Sequence, residues 1–265
     1  MKSLLAGLLA TSFLIGTATA QDAAKKRLQD SPRHGEWINV KQGDRQIESY
    51  IVYPEVKDKA TAVIVIHEIF GLSDWVRSLT DQLAEAGYIA VAPDLLSGMG
   101  PKGGGTKEFD GEAVRKAVVS LPPDQITKDL NAVAAYVSKL DAANGKVAVC
   151  GFCWGGGQTL RYATNNPDLK AAFVFYGSVP LEQADAAKIK CPVYGFYGGN
   201  DARINMTVPK TEELMKAAGK KFEPVTYEGA GHGFMRQGDM PSPRPADKKG
   251  RDEAWQRWKK LLAAL

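Results

Sequence analysis

Val147-Ala148-Val149-Cys150-Gly151-Phe152-Cys153-Trp154-Gly155-Gly156-Gly157 is the stretch whose reading decides the fold. Three apolar residues and a cysteine form a short run of the kind found in a buried strand. A second cysteine follows between glycines, and a helical pattern begins at about Gln158. The stretch therefore predicts strand, sharp turn and helix, with one nucleophilic side chain at the apex. Glycines suit such a turn because strand and helix backbones approach closely there. A helix beginning just after the cysteine aims its positive end at the sulfur, which favours thiolate over thiol.

The pattern continues on both sides of this stretch. Ahead of it, Glu36 to Val40 and Gln46 to Tyr53 alternate as two antiparallel strands about a Gly43-Asp44 turn. Thr61 to His67 is a continuous β-branched run, as in a strand covered on both faces. Asp74 to Ala86 has helical spacing, with Ser73 as N-cap and Gly87 as stop. Tyr88 to Ala92 is a strand ended by Pro93, Pro101 to Gly105 reads as a flexible loop, and helices occupy Gly111 to Ser120 and Asp124 to Leu140. Beyond the central stretch come strands Ala171 to Tyr176, Val193 to Tyr197 and Phe222 to Tyr227, with helices from Thr207 to Ala218 and Arg251 to Leu265. Phe173, Phe175 and Tyr176 read as sheet packing. Trp255, Trp258, Leu261 and Leu262 read as the apolar face of a docking helix. Strands alternating with helices imply an α/β fold with a mostly parallel central sheet and helices on both faces.

Residues 1–20 have the form of a secretory leader. Lys2 is the charged head, Leu4 to Ile15 the apolar run and Ala18-Thr19-Ala20 the small-x-small cleavage site. Cleavage after Ala20 would leave a chain from Gln21, exported to the periplasm or secreted if the source is bacterial. The segment from Gln21 to Pro32 is polar and reads as a loose lead-in. Residues 21–265 show no composition break and are expected to form one domain. The 265-residue chain has 34 Lys and Arg against 30 Asp and Glu, a net charge of +4. That excess is too small to imply a nucleic-acid partner, and no membrane partner is expected once the leader is gone. Three cysteines, Cys150, Cys153 and Cys191, are too few for a disulfide framework. No metal-ligand spacing is present, so neither metal nor cofactor is expected.

A nucleophile in such a turn needs a base, and the base needs an orienting acid. Gly151-x-Cys153-x-Gly155 matches the nucleophile elbow of α/β-hydrolases with sulfur in place of oxygen. In that class the acid and then the histidine follow later in the chain, each after a strand. Of His34, His67 and His232, only His232 lies beyond the elbow, in the glycine-rich loop after Tyr227. Asp201 stands just past the strand ending at Tyr197, and Asp185, in a polar helical stretch, is its weaker rival.

Taken together, these residues resemble the dienelactone hydrolase family. The matching pieces are His67-Glu68-Ile69-Phe70-Gly71, Gly151-Phe152-Cys153-Trp154-Gly155-Gly156, Asp201 and Gly231-His232-Gly233-Phe234. The resemblance implies Cys153 as nucleophile, His232 as base and Asp201 as its orienting acid. It further implies that Glu68 contacts the cysteine and helps move its proton when substrate arrives. The amides of Ile69 and Trp154 would hold the developing oxyanion, and Arg236 would bind a carboxylate on the substrate. A structural ion pair is the alternative for Glu68, and a solvated surface position the alternative for Arg236. His67 is read as structural. The implied substrate is a small ester or lactone. A glycine-rich loop at Gly98 to Gly105 departs from the family pattern.

Two other readings compete. Cys150-Gly151-Phe152-Cys153 is a C-x-x-C, which an exported thiol-disulfide oxidoreductase could use. The same scaffold could also serve as a non-catalytic binding protein.

Overall fold

The computed structural model describes residues 21–265, so the leader reading lies outside the described residues. Eight strands form one sheet: β1 (Gly35–Gln42), β2 (Arg45–Val52), β3 (Ala60–Ile66), β4 (Ile89–Pro93), β5 (Ala143–Phe152), β6 (Ala172–Phe175), β7 (Val193–Gly198) and β8 (Phe222–Tyr227). Their order is β1-β2-β4-β3-β5-β6-β7-β8. β1 pairs antiparallel with β2, and β2 antiparallel with β4, while every other pairing is parallel.

The helices are α1 (residues 21–30), α2 (Asp74–Glu85), α3 (Gly111–Val119), α4 (Pro123–Val137), α5 (Trp154–Ala163), α6 (Gln183–Ala186), α7 (Ala202–Asn205), α8 (Val208–Ala217), α9 (Phe234–Gln237) and α10 (Pro245–Leu262). Strand alternation divides their cores. Ala62, Ile64 and Ile66 of β3 face a cluster with Val118, Leu130, Val133, Leu160 and Met215, from α3, α4, α5 and α8. Val63 and Val65 face the opposite cluster, which holds Trp75, Leu79, Phe173, Phe175 and Trp258. That two-sided burial is why β3 reads as an unbroken apolar run.

Several boundaries differ from the sequence reading, β5 opening at Ala143 rather than Val147 and α4 closing at Val137 rather than Leu140. The lead-in is helical: Ala24 is buried, the Trp75 amide donates to Gln21 Oε1 at 3.0 Å, and Arg27 bonds both oxygens of Asp239 at 3.0 Å. Tertiary contacts, not an apolar stripe of its own, hold α1 in place. α5 begins at Trp154 rather than Gln158, taking three glycines into its first turn. α10 begins at Pro245 rather than Arg251, with Pro in the first turn, where its missing N–H costs nothing.

The parallel strands end in step. Ile66 is level with Gly151, Phe152 with Phe175, Phe175 with Phe196, and Gly198 with Tyr227. The loops after β3, β5, β6, β7 and β8 therefore emerge along one edge, where open α/β sheets hold their sites. Trp258 clamps the sheet beneath that edge. It is fully buried, and its ring lies 4.8 Å from Phe175, 5.9 Å from Phe173 and 6.1 Å from Phe152, centre to centre. Trp258→Ala is expected to cost about 3–5 kcal/mol, the range for emptying a large aromatic site. Urea unfolding measures it, and a loss below about 1 kcal/mol would mean that α10 docks through other residues.

Candidate active site

Cys153 is the N-cap of α5 and sits at φ 54°, ψ −115°. A non-glycine residue there carries strain of about 1–3 kcal/mol, sustained only where the surroundings enforce it. They do so through backbone contact. The Cys153 amide donates to Phe175 O at 3.0 Å, and its carbonyl accepts from the Gly157 amide at 3.2 Å. The glycines let α5 lie against two strand ends: a β-carbon on Gly155 would stand 2.4 Å from the Ile66 and His67 oxygens, and one on Gly156 2.6 Å from Phe175 O.

The other groups converge on this sulfur. Asp201 is buried, and its side chain caps α7 by accepting from the Ile204 amide at 3.4 Å. Its Oδ2 lies 2.5 Å from His232 Nδ1. His232 Nε2 lies 3.1 Å from Cys153 Sγ. A carboxylate only accepts, so Nδ1 carries the proton and Nε2 presents a lone pair to the thiol. The acid and histidine loops are tied by the Asn200 amide on Ala230 O at 2.9 Å and Asn200 Nδ2 on Gly229 O at 3.1 Å. Asp185 is no rival, since it sits on α6 paired with Lys188 at 2.7 Å.

Glu68 and Arg236 are both buried, at 3% and 4% exposure. Arg236 Nε donates to Glu68 Oε2 at 2.9 Å, and the guanidinium lies 5.3 Å from the centre of the Phe70 ring. Arg236 is thus neither solvated nor free, and the hydrogen-bond donor to Glu68 is Arg236 rather than the cysteine. Arg236 Nη1 is buried without a hydrogen-bond partner among the described residues. Glu68 acts on the sulfur through its charge. Burial and then Glu68 push the Cys153 thiol up to about 12, against the Trp154 amide hydrogen bond and the charges of Arg203 and Arg236. This corrects the sequence expectation of a favoured thiolate: desolvation and a neighbouring carboxylate outweigh the helix end.

His67 is fully buried. Its Nδ1 lies 2.8 Å from Glu68 O, its ring stacks on Trp154 at 5.4 Å, and burial lowers its pKa, leaving it neutral. Ile69 lies in a turn closed by the Gly71 amide on Glu68 O at 3.2 Å. Tyr176 is not only sheet packing. It lies beyond the end of β6 at φ 38°, its ring 5.3 Å from those of His232 and Phe234, and its buried hydroxyl has no hydrogen-bond partner among the described residues. No sequence signal separates it from Phe173 and Phe175. Cys150 belongs to the core beneath β5, fully buried, with its thiol pushed well up by burial. That placement removes the accessible pair a C-x-x-C exchange requires. Cys191 is also buried.

The sheet order, the elbow and the residues gathered at one edge define an α/β-hydrolase. The model of the dienelactone hydrolase family matches residues 47–265. Curated relatives carry names that provisionally assign carboxymethylenebutenolidase activity. One from Salmonella typhimurium is 36% identical over 73% of this chain and 74% of its own length. One from Escherichia coli K12 is 34% identical over 82% and 81%. A crystal structure from Klebsiella pneumoniae, provisionally named a dienelactone hydrolase, superposes with TM-score 0.76 at 30% identity, covering 88% of this chain and 99% of that one. A dienelactone hydrolase-like promiscuous phosphotriesterase from metagenomic libraries shares the fold, with TM-score 0.75 at 20% identity and coverage of 88% and 98%. The chain belongs to the dienelactone hydrolase family, and it is a carboxylic ester hydrolase with a small-molecule substrate.

The raised thiol sets a pH dependence. A thiol at about 12 gains roughly tenfold in thiolate per pH unit throughout the neutral range. Iodoacetamide capture of Cys153 should rise with that slope from pH 7 to 9. Glu68→Gln removes one of the two causes and should speed capture at fixed pH. A capture rate flat with pH, or unchanged in Glu68→Gln, would contradict this account of the sulfur.

Proposed function

We propose that the protein cleaves small carboxylic esters or lactones through a thioester on Cys153, with His232 as base and Asp201 orienting it. One observation carries the reading: hydrogen-bond contacts run unbroken from Asp201 through both ring nitrogens of His232 to the sulfur, at 2.5 and 3.1 Å. The thiol proton passes to Nε2 as sulfur attacks the carbonyl carbon. The negative charge that develops on the carbonyl oxygen meets the amides of Ile69 and Trp154, each such donor being worth about 3 kcal/mol. The carbon–oxygen bond breaks, and His232 returns the proton to the leaving oxygen. Water, deprotonated by His232, then attacks the thioester and releases the acid and the thiol. An alkoxide or enolate leaves more readily than an amine, so peptides are poor substrates.

Glu68 and Arg236 add a substrate-dependent step. The unpartnered Nη1 and the exchangeable Nε bond make Arg236 a receptor for a carboxylate on the substrate. A carboxylate drawing the guanidinium away leaves Glu68 buried without its cation, and for such substrates Glu68 takes the thiol proton in place of His232. The thiol stays protonated until then, which spares it from idle oxidation in the exported setting that the leader suggests.

Lactones and aryl esters with and without a free carboxylate test the reading. Turnover is expected for several, fastest for those with the carboxylate. Cys153→Ala should fold and be inactive, and His232→Ala should lose about 10²–10⁴ in kcat. Activity persisting in Cys153→Ala would end the proposal. No turnover of any ester by the folded wild type would favour a binding protein instead.

A further inference from the structure

The glycine-rich segment that reads as a flexible loop is a folded strap. The Gly100 amide donates to Gly104 O, and Gly103 to Gly100 O, both at 2.8 Å. Glu108 Oε2 accepts from the amides of Lys102 at 2.8 Å and Gly104 at 3.1 Å. The strap delivers Thr106 between two other segments. On one side is Asp94, buried just beyond β4, whose Oδ2 accepts from the Thr106 amide at 2.6 Å. Its Oδ1 accepts from the Thr106 hydroxyl at 2.7 Å and from the Leu96 amide at 3.0 Å. On the other side is the segment after β3: the Leu72 amide donates to Thr106 Oγ1 at 3.0 Å.

These bonds have only one polarity. The Leu72 amide and the Asp94 carboxylate each have a single role, so the hydroxyl must accept from the first and donate to the second. Thr106 also lies flush against the turn. Gly71 is at φ +69°, and a β-carbon there would stand 2.3 Å from Thr106 Oγ1. The turn from Glu68 to Gly71 is thus closed internally by the Gly71–Glu68 bond and anchored externally at Leu72 by Thr106.

We propose that Thr106, oriented by Asp94, is a positioning residue for the turn that presents the Ile69 amide to the developing oxyanion. The inference rests on the thioester reading above, and it explains the glycine-rich strap as the means of placing one hydroxyl. Misplacing a reacting group by about 1 Å can cost as much as 10²-fold in rate.

The test uses the full chain, with Thr106→Val removing the hydroxyl at constant shape and Thr106→Ser keeping it. Two probes of Cys153 separate the roles. Butyraldehyde adds to the sulfur reversibly, the thiol proton ends on the former carbonyl oxygen, and that oxygen occupies the oxyanion position. Iodoacetamide loses iodide as the carbon–sulfur bond forms, with no oxyanion. Thr106→Val is expected to lower kcat on p-nitrophenyl acetate by about tenfold or more. Butyraldehyde inhibition should weaken in parallel, with KM and the iodoacetamide rate held near wild type. Thr106→Ser should recover most of the loss. Wild-type kcat in Thr106→Val would overturn the proposal, as would an equal fall in both probes or no recovery in Thr106→Ser. If Thr106→Val does not fold, Thr106→Ala is read by the same criteria. A wild type that labels at Cys153 yet hydrolyses no ester would overturn the thioester reading itself, before any variant is compared.

Discussion

Backbone-to-backbone contact between α5 and the ends of β3 and β6 is the constraint on which the site depends. Side chains at positions 155 and 156 would collide with main-chain oxygens, which cannot yield as a flexible side chain can. The close approach holds Cys153 in its strained, positive-φ conformation and brings its sulfur to the level where the neighbouring strands end. Once β5 ends there, the sheet register places the loops that follow β3, β7 and β8 around the same point. Asp201, His232 and Glu68 are far apart in sequence and close in space for that reason. The aromatic layer under the edge, Phe152, Phe173, Phe175 and Trp258, makes the platform stiff enough to hold a strained residue.

Much of this was legible in the chain. β3 announces itself because burial on both faces leaves only β-branched and small residues. The order Cys153, Asp201, His232 could be read because one histidine follows the elbow. The start of α5 was not legible, because glycine has poor helix propensity and only the contacts across the sheet explain three in a first turn. Gly250 hid the opening of α10 in the same way: a β-carbon there would come 2.9 Å from that of Ala230, a contact no local pattern reveals. α1 carries no apolar face of its own and is held by Gln21, Ala24 and Arg27 against partners elsewhere in the fold.

The site shows the same division. Glu68 and Arg236 could each be singled out, but their pairing across 168 positions could not, because ion pairs leave no periodicity. The state of the sulfur is not legible in the sequence for a related reason. A helix N-terminus is visible in sequence, whereas desolvation and a carboxylate arriving from another loop are not, and here they dominate. Asp94 and Thr106 carry no sequence signal, because a polar residue after a strand and another after a glycine run look like ordinary loop chemistry. Only their bonds to one another and to Leu72 distinguish them.

The charges around the cysteine form a poised set. A buried carboxylate beside a buried thiol would be costly alone, and Arg236 offsets it. That compensation raises a difficulty for catalysis, since a carboxylate fully occupied by a guanidinium is a weak base. Glu68 can serve as a base only if something removes the guanidinium at the right moment. On the proposed reading, Arg236 Nη1 supplies a means: a substrate carboxylate binding there would compete for the same cation without breaking the protein's own backbone contacts. On that reading, specificity and activation arise from a single exchange of ion-pair partners, and a neutral ester would use His232 alone, forgoing the second base that binding energy would release.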